Sequence, residues 1–367
     1  MNQARDTRGL RLRRLRRAMA AGEIPSLLVT HLPDVRYLTG FSGSNAALTV
    51  TAKQAVLFTD GRYTVQAKTE VRGAQVVIAS SSALKEACAF LREGGGGRAF
   101  FDPGQTTVAA LATMREAIGK KGTARFFQPL PAALVMEQRL VKDEEEQRLM
   151  GEGAALGVQL FEDLLPKLEP GMTEMAVAAE LEYAARMAGA EAMSFETIVA
   201  SGARSALPHG QASKARLPRR GFVTLDFGVI LSGYCSDMTR TVHMGAATDR
   251  ERDVYAAVLE AQENAVAAVR AGASCGAVDE AARSVLGRSE LAQYFTHSTG
   301  HGLGLEIHEP PRIAAGQGAS LKNGNVVTIE PGVYIAGEFG IRIEDTVVVH
   351  KGGCTVLTPA TKAWIEL

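Results

Sequence analysis

The sequence predicts two domains, an α/β domain over residues 1–134 and an α+β domain over residues 135–367. Three features lead there. At 367 residues the chain exceeds what one hydrophobic core usually serves. Before Pro129, short runs of β-formers alternate with helical stretches, the pattern of an α/β layer. After Pro131, a plan of two helices followed by paired strands occurs twice.

Arg8, Arg11, Arg13, Arg14, Arg16 and Arg17 surround Leu12 and Leu15, which reads as a first helix with arginines in solvent and leucines turned inward. A transit peptide or an anion-binding arm is the alternative. A secretory signal is not supported, because residues 18–22 lead straight into Glu23 and Pro25 without an apolar stretch. Strands are expected at 26–29, 46–50, 55–59, 75–78 and 99–101, with helices near 65–71 and 84–92. Pro129 and Pro131 interrupt this pattern and place the boundary near Leu134. The charged run Asp143, Glu144, Glu145, Glu146 opens a helix over 143–168, and a second at 173–188 precedes the first strand pair. Helices at 249–271 and 274–286 precede the other pair.

Lysine plus arginine equals aspartate plus glutamate at 40 each, so no global attraction to nucleic acid or an anionic membrane is expected. Cys88, Cys235, Cys275 and Cys354 are scattered, form no CxxC pair and fit a reducing, cytoplasmic compartment. No run approaches the roughly 20 apolar residues of a membrane span.

The chemistry-bearing residues concentrate after residue 220. Thr224-Leu225-Asp226-Phe227-Gly228 precedes Ser236-Asp237-Met238-Thr239-Arg240 across the turn signal Leu231-Ser232-Gly233, which reads as two strands joined by a tight connection. Thr328-Ile329-Glu330-Pro331-Gly332 and Ile343-Glu344-Asp345-Thr346 repeat the plan across a loop containing Gly337 and Gly340. Two hairpins would carry four carboxylates toward one point. Flanking valines and isoleucines suggest buried strands, where an unpaired carboxylate costs several kcal/mol by rough estimate. Arg240, Arg342 and Lys322 are too few to neutralise four acids, whereas two divalent cations would balance them.

His301, in His297-Ser298-Thr299-Gly300-His301-Gly302, adds a nitrogen donor between glycines that permit close backbone approach and unusual φ/ψ values. Four oxygen donors with one imidazole suit manganese first, with cobalt, iron and zinc as alternatives. A single aspartate at a strand end is more often a turn or cap residue, so the joint pattern of five carries the assignment. Other sites are excluded. Gly40-Phe41-Ser42-Gly43-Ser44 is not a G-x-S-x-G elbow, and His308-Glu309-Pro310-Pro311-Arg312 lacks the second histidine and the helix of H-E-x-x-H. The glycine run at 94–97 lacks the Lys-Ser/Thr of a phosphate loop.

In these motifs the chain resembles the M24 metallopeptidases, the pita-bread family that includes methionine aminopeptidase, Xaa-Pro aminopeptidase and Xaa-Pro dipeptidase, and the resemblance covers nearly the whole length. It implies a creatinase/prolidase-type N-terminal domain and a pita-bread catalytic domain with pseudo-twofold halves. It places Asp226 on one metal, His301 and Glu330 on the other, and Asp237 and Glu344 as bridges. The segment from Ser194-Phe195-Glu196 to Gly202, Leu207-Pro208-His209-Gly210 and Gly304-Leu305-Glu306-Ile307-His308-Glu309 are similar to the proline-specific branch. So are the segment from Asp34 to Phe41 and Thr59-Asp60-Gly61-Arg62-Tyr63.

The chemistry the resemblance implies is hydrolysis of an Xaa-Pro bond, with two metals lowering the pKa of a shared water and polarising the scissile carbonyl. Glu330 would relay a proton toward the leaving nitrogen, and His209 and His308 would stabilise the oxyanion or orient the carbonyl. Arg342 is counted with them. Proline leaves no N–H at the scissile amide, so Phe195, Ile307 and Tyr334 are expected as an apolar wall. Arg342 and Arg312 are expected to meet a downstream carboxylate or carbonyl, and His297 to belong to an outer proton network. No role is expected for His31, His243 or His350. Small proline-containing peptides are the expected substrates and a homodimer or tetramer the expected assembly. An Xaa-Pro aminopeptidase is the leading expectation, a dipeptidase the alternative, and a non-catalytic peptide-binding protein the remote one.

Overall fold

The computed structural model describes residues 7–94, 97–119 and 123–367; Gly95 and Gly96 of the glycine run lie outside them. The chain divides into two compact units, the first ending at Arg139 and the second running from Leu140 to Leu367.

In the first unit, α1 (Arg8–Ala21) leads into β1 (Ser26–Val29), α2 (Leu32–Thr39), β2 (Ala46–Thr51), β3 (Ala55–Thr59), α3 (Thr64–Glu70) and β4 (Gln75–Ile78). Then come α4 (Ala83–Glu93), β5 (Ala99–Phe101), α5 (Val108–Ala117), the short α6 (Thr123–Phe126), β6 (Phe127–Pro129) and α7 (Leu134–Arg139). The six strands form one sheet in the order β4-β3-β2-β1-β5-β6, parallel except where β2 runs against β1 and β3. Leu12 and Leu15 of α1 are buried as their spacing requires, but Arg11 is buried too. Its guanidinium stacks over the Tyr37 ring at 4.2 Å and donates to the Tyr37 carbonyl. The unit runs on past Leu134 because α7 ends on Arg139, whose buried guanidinium donates to Asp34 Oδ1 at 2.7 Å.

The second unit opens with α8 (Glu144–Leu164), started by a reciprocal capping box in which the Asp143 side chain and the Glu146 side chain each bond the other's backbone N–H. It continues with α9 (Glu174–Met187), β7 (Ala192–Met193), β8 (Ile198–Ser201), β9 (Gly221–Phe227), β10 (Val229–Leu231), β11 (Tyr234–Cys235) and β12 (Met238–Met244). The second half is α10 (Asp249–Ala268), α11 (Cys275–Arg288), β13 (Gly300–Gly302), β14 (Glu309–Ile313), β15 (Val326–Ile329), β16 (Gly332–Ile335), β17 (Phe339–Arg342), β18 (Asp345–His350) and β19 (Gly353–Val356). Each half has its own core. Leu160, Phe161, Val177 and Leu181 pack with Val223, Leu225 and Val242, while Val258, Ala261, Val278 and Val285 pack with Val327, Ile329 and Val347.

The strand pairs depart from simple tight hairpins. β9 pairs antiparallel with β12, Asp226 opposite Thr239, but the turn at Ser232 and Gly233 closes an inner pair, β10–β11, that belongs to another sheet. Both turn residues have positive φ, 52° and 83°, as a twist-matched two-residue turn requires. The second half repeats this, with β15–β18 as the outer pair and β16–β17 as the inner one.

Candidate metal centre

All four carboxylates lie at or beside the ends of the outer strands, where the ladder gives way to the inner pair. Asp226 is near the end of β9, Asp237 precedes β12, Glu330 follows β15 and Glu344 precedes β18. Ligand oxygens of Asp226, Asp237 and Glu344 all lie within 4.8 Å of one another. His301 Nε2 is 3.6 Å from Asp237 Oδ2 and 3.5 Å from Glu330 Oε1, so the five expected ligands converge.

The His301 ring is fixed by Nδ1, which lies 3.0 Å from the Gly302 carbonyl. A carbonyl can only accept, so Nδ1 carries the proton and Nε2 presents a lone pair. Burial pushes the pKa of His301 down to about 4, which keeps the ring neutral at pH 7. Its glycine neighbours serve close approach alone, since neither has a positive φ. A Cβ on Gly300 would overlap the Thr328 carbonyl oxygen, and one on Gly302 would overlap that of Pro310.

Burial holds Asp237 and Glu344 well above the ordinary carboxylate range, and their carboxylate neighbours add to it. Glu330 is raised to about 8, chiefly by burial, with Arg342 opposing and the Asp226 charge reinforcing the shift. Arg342 is the cation bound to this cluster. Its guanidinium donates to Asp226 Oδ2 at 2.5 Å, the Tyr334 hydroxyl at 2.6 Å, the Pro208 carbonyl at 3.1 Å and Thr239 Oγ1 at 3.2 Å. With its donors so committed and its side chain buried, it does not present a free fork to a substrate carboxylate, contrary to that part of the expectation.

Thr239 in turn donates to Glu344 Oε2 at 2.7 Å. Asp226 Oδ1 and Glu344 Oε1 remain buried without a hydrogen-bond partner. Buried carboxylate oxygens that face one another and lack donors are costly, and divalent cations at this point would satisfy them. Four carboxylates and a neutral imidazole form a donor set suited to such ions.

The cluster opens into a cavity of about 1270 Å³ whose lining includes His209, His297, His308, Phe195, Ile307 and Arg312. Tyr334 does not line it. Its hydroxyl stands behind, between Arg342 and His297 Nε2, the latter at 2.9 Å, and burial raises its pKa to about 12. Tyr334 is therefore no part of an apolar wall, because its polar end is held by Arg342 and His297. His297 is held at Nδ1 by the Ser298 carbonyl, and burial lowers its pKa to about 4.

Sequence reading missed several neighbours. Glu196 and Gln211 line the cavity, with the Gln211 amide donating to the Glu196 carboxylate. Behind His308, Lys142 and Glu309 form a buried ion pair at 3.0 Å across 167 residues, which nothing in either local motif announces. His243 packs in the core against Phe222 and Trp364.

Residues 148–351 match the metallopeptidase family M24, and residues 11–141 match the creatinase/prolidase N-terminal domain. The chain belongs to metallopeptidase family M24. Its second unit is accordingly a pita-bread domain, and the repeated strand pairs are its two halves. An Xaa-Pro dipeptidase from Bacillus anthracis superposes with a TM-score of 0.93 at 37% identity, over 98% of this chain and 100% of that one. An X-Pro aminopeptidase from Thermotoga maritima gives 0.87 at 33% identity, over 96% and 100%. The Xaa-Pro dipeptidase of Pyrococcus horikoshii is 37% identical over 250 residues, which is 68% of this chain and 71% of that protein. Among the described residues no helix is long and apolar enough to cross a membrane.

Proposed function

We propose that this M24 member is an Xaa-Pro peptidase acting at the N-terminus of short peptides. The observation that carries the reading is the buried carboxylate cluster, with two orphaned oxygens and a neutral His301, at a large cavity that His209 and His308 also line. Relatives named Xaa-Pro dipeptidase and X-Pro aminopeptidase support the proline specificity.

Asp226, Asp237, His301, Glu330 and Glu344 would hold two divalent cations, manganese being the first choice. Such ions supply positive charge that acidifies a water and polarises the scissile carbonyl. Glu330, whose Oε1 lies 3.5 Å from His301 Nε2, is the carboxylate to carry a proton from that water to the leaving nitrogen. His209 and His308, both exposed in the cavity, hold the carbonyl oxygen as it gains charge. Phe195 and Ile307 pack against the proline ring, which offers no N–H to recognise.

The aminopeptidase is put first because a cavity of about 1270 Å³, with Gln317, Ser320 and Lys322 in its lining besides Arg312, has room for a peptide longer than a dipeptide. A second reading, the dipeptidase, rests on Arg312 itself. It lies across the ladder from His301, exposed, and suits a carboxylate placed directly after proline. The test is proline-peptide cleavage after chelation and re-addition of manganese, cobalt or zinc, comparing Ala-Pro with Ala-Pro-Ala. Metal-dependent release of alanine from the tripeptide is the expected result. Cleavage of the dipeptide alone establishes the second reading, and no cleavage with any metal defeats both.

A further inference from the structure

The loop between β8 and β9 carries His209, and Ser201 and Ser213, on either side of that histidine, meet on one carboxylate. Glu174, the first residue of α9, is 0% exposed. Its Oε1 accepts the backbone N–H and the hydroxyl of Ser201 at 2.8 and 2.9 Å. Its Oε2 accepts the same two groups of Ser213 at 3.1 and 2.7 Å. Arg204 Nε adds a bond at 3.0 Å to Oε2, and its Nη2 donates to the Gln211 carbonyl at 2.8 Å. A carboxylate offers about four lone-pair sites, so Glu174 is saturated by the loop alone.

Each oxygen thus secures one end of the segment from Ser201 to Ser213. His209 sits between these anchors, exposed in the cavity, with the preceding Pro208 carbonyl bonded to Arg342. The second half carries a matching device. Asp279 of α11, also 0% exposed, accepts the N–H and hydroxyl of Thr299 at 3.2 and 2.7 Å and Arg283 Nε at 2.7 Å. Arg283 Nη2 in turn donates to the His297 carbonyl at 2.6 Å. In each half, then, the second helix sends a buried carboxylate to the segment that bears the cavity histidine.

We propose that Glu174 is a positioning residue that acts through His209, fixing the loop so that the imidazole meets the substrate carbonyl. The inference rests on the reading of the cavity as the peptidase site. Glu174→Gln preserves size but turns one oxygen into a donor, so the backbone N–H at one serine end loses its acceptor and faces an N–H group, while the hydroxyl there must turn to accept instead of donate. A misplacement of about 1 Å at a catalytic group lowers rate on the order of 100-fold.

The experiment is a double-mutant cycle of Glu174→Gln and His209→Ala in the metal-loaded full chain, reading kcat and KM on Ala-Pro-Ala together with metal content. The expected result is that Glu174→Gln keeps its metal and lowers kcat about 10- to 100-fold, while in the His209→Ala background the same change has almost no effect. Equal losses in both backgrounds, or an unchanged kcat, would overturn the proposal. If Glu174→Gln does not fold, Ser213→Ala replaces it in the same cycle, removing the hydroxyl that donates to Glu174 and accepts the Ala215 N–H, and leaving the carboxylate in place.

A second readout does not depend on turnover. The His209 imidazole signals of the zinc-loaded protein, assigned by their loss in His209→Ala, should shift in Glu174→Gln, and unmoved signals would overturn the proposal. Should the wild-type chain cleave no peptide while these signals shift, the peptidase reading fails and the positioning of His209 stands.

Discussion

At Arg342 and His308 the same cavity imposes opposite demands on a side chain. The Arg342 guanidinium is buried and divided among four acceptors, one of them the Asp226 carboxylate. Replacing it with methionine would leave Asp226 without its protein cation, and breaking a buried pair from one side costs about 3–5 kcal/mol. Arg342→Met should therefore lower the unfolding midpoint as well as the activity. His308 is exposed and touches the cluster only through the edge of the His301 ring, centroid to centroid 4.5 Å. His308→Ala should leave both the midpoint and the metal content at wild-type values while kcat falls. Thermal melts, metal analysis and turnover on the two variants decide the matter. Wild-type kcat in His308→Ala would remove that residue from the proposed machinery, and an unshifted midpoint in Arg342→Met would mean the Asp226 charge is relieved elsewhere.

Elements set the limits within which such residues act, and Gly300 on β13 is among the tightest of them. Any Cβ there would run into the Thr328 carbonyl oxygen of the adjoining segment, a backbone atom that cannot swing aside. Gly300→Ala must push the His301 segment away from β15, so it should lower metal affinity and activity together while the long helices keep their circular dichroism. Full activity in that variant would show that β13 yields more readily than its packing implies. That glycines flank the histidine was legible in the sequence, and so were the helices starting at Glu144 and Asp249, each opened by a reciprocal capping box. α2 was not legible, because Leu32-Pro33-Asp34 reads as a turn until Pro33 is seen to sit in the first helical turn. α5 buries only Met114 and so shows no apolar stripe. Ligand positions were readable since each lies in a short motif with its own turn residues. Glu174, Asp279 and Lys142 were not, because their meaning lies in partners such as Ser213 and Glu309 that are distant in the sequence.

On the scale of the whole molecule, the second unit folds around more negative charge than its own cations neutralise, and pH should expose this. Asp237, Glu344 and Glu330 are all raised by burial first, Glu330 to about 8, so the metal-free native state retains protons that the unfolded chain releases near pH 4 to 4.5. Groups raised in this way contribute stability that is complete below the unfolded pKa and is lost as pH rises through the folded one. Each retained proton makes stability fall by about 1.4 kcal/mol per pH unit in that window. His297 and His301 act in the other direction. Lowered to about 4 by burial, they contribute stability present above roughly pH 6.5 and lost below it, so they are silent at higher pH. Between about pH 6.5 and 7.5 the carboxylates should dominate, before unfolded thiols ionise near 8.5 and the buried, raised Cys88, Cys275 and Cys354 add to the same fall, and the chelated protein should melt at progressively lower temperature as pH rises. Bound cations replace those protons, so saturating manganese should flatten the trend and widen the gap between loaded and chelated protein toward high pH. Melting curves at three pH values, with chelator and with manganese, test this directly. A chelated midpoint that climbs with pH, or parallel curves in the two conditions, would mean that the cluster is not the site where cations and protons compete.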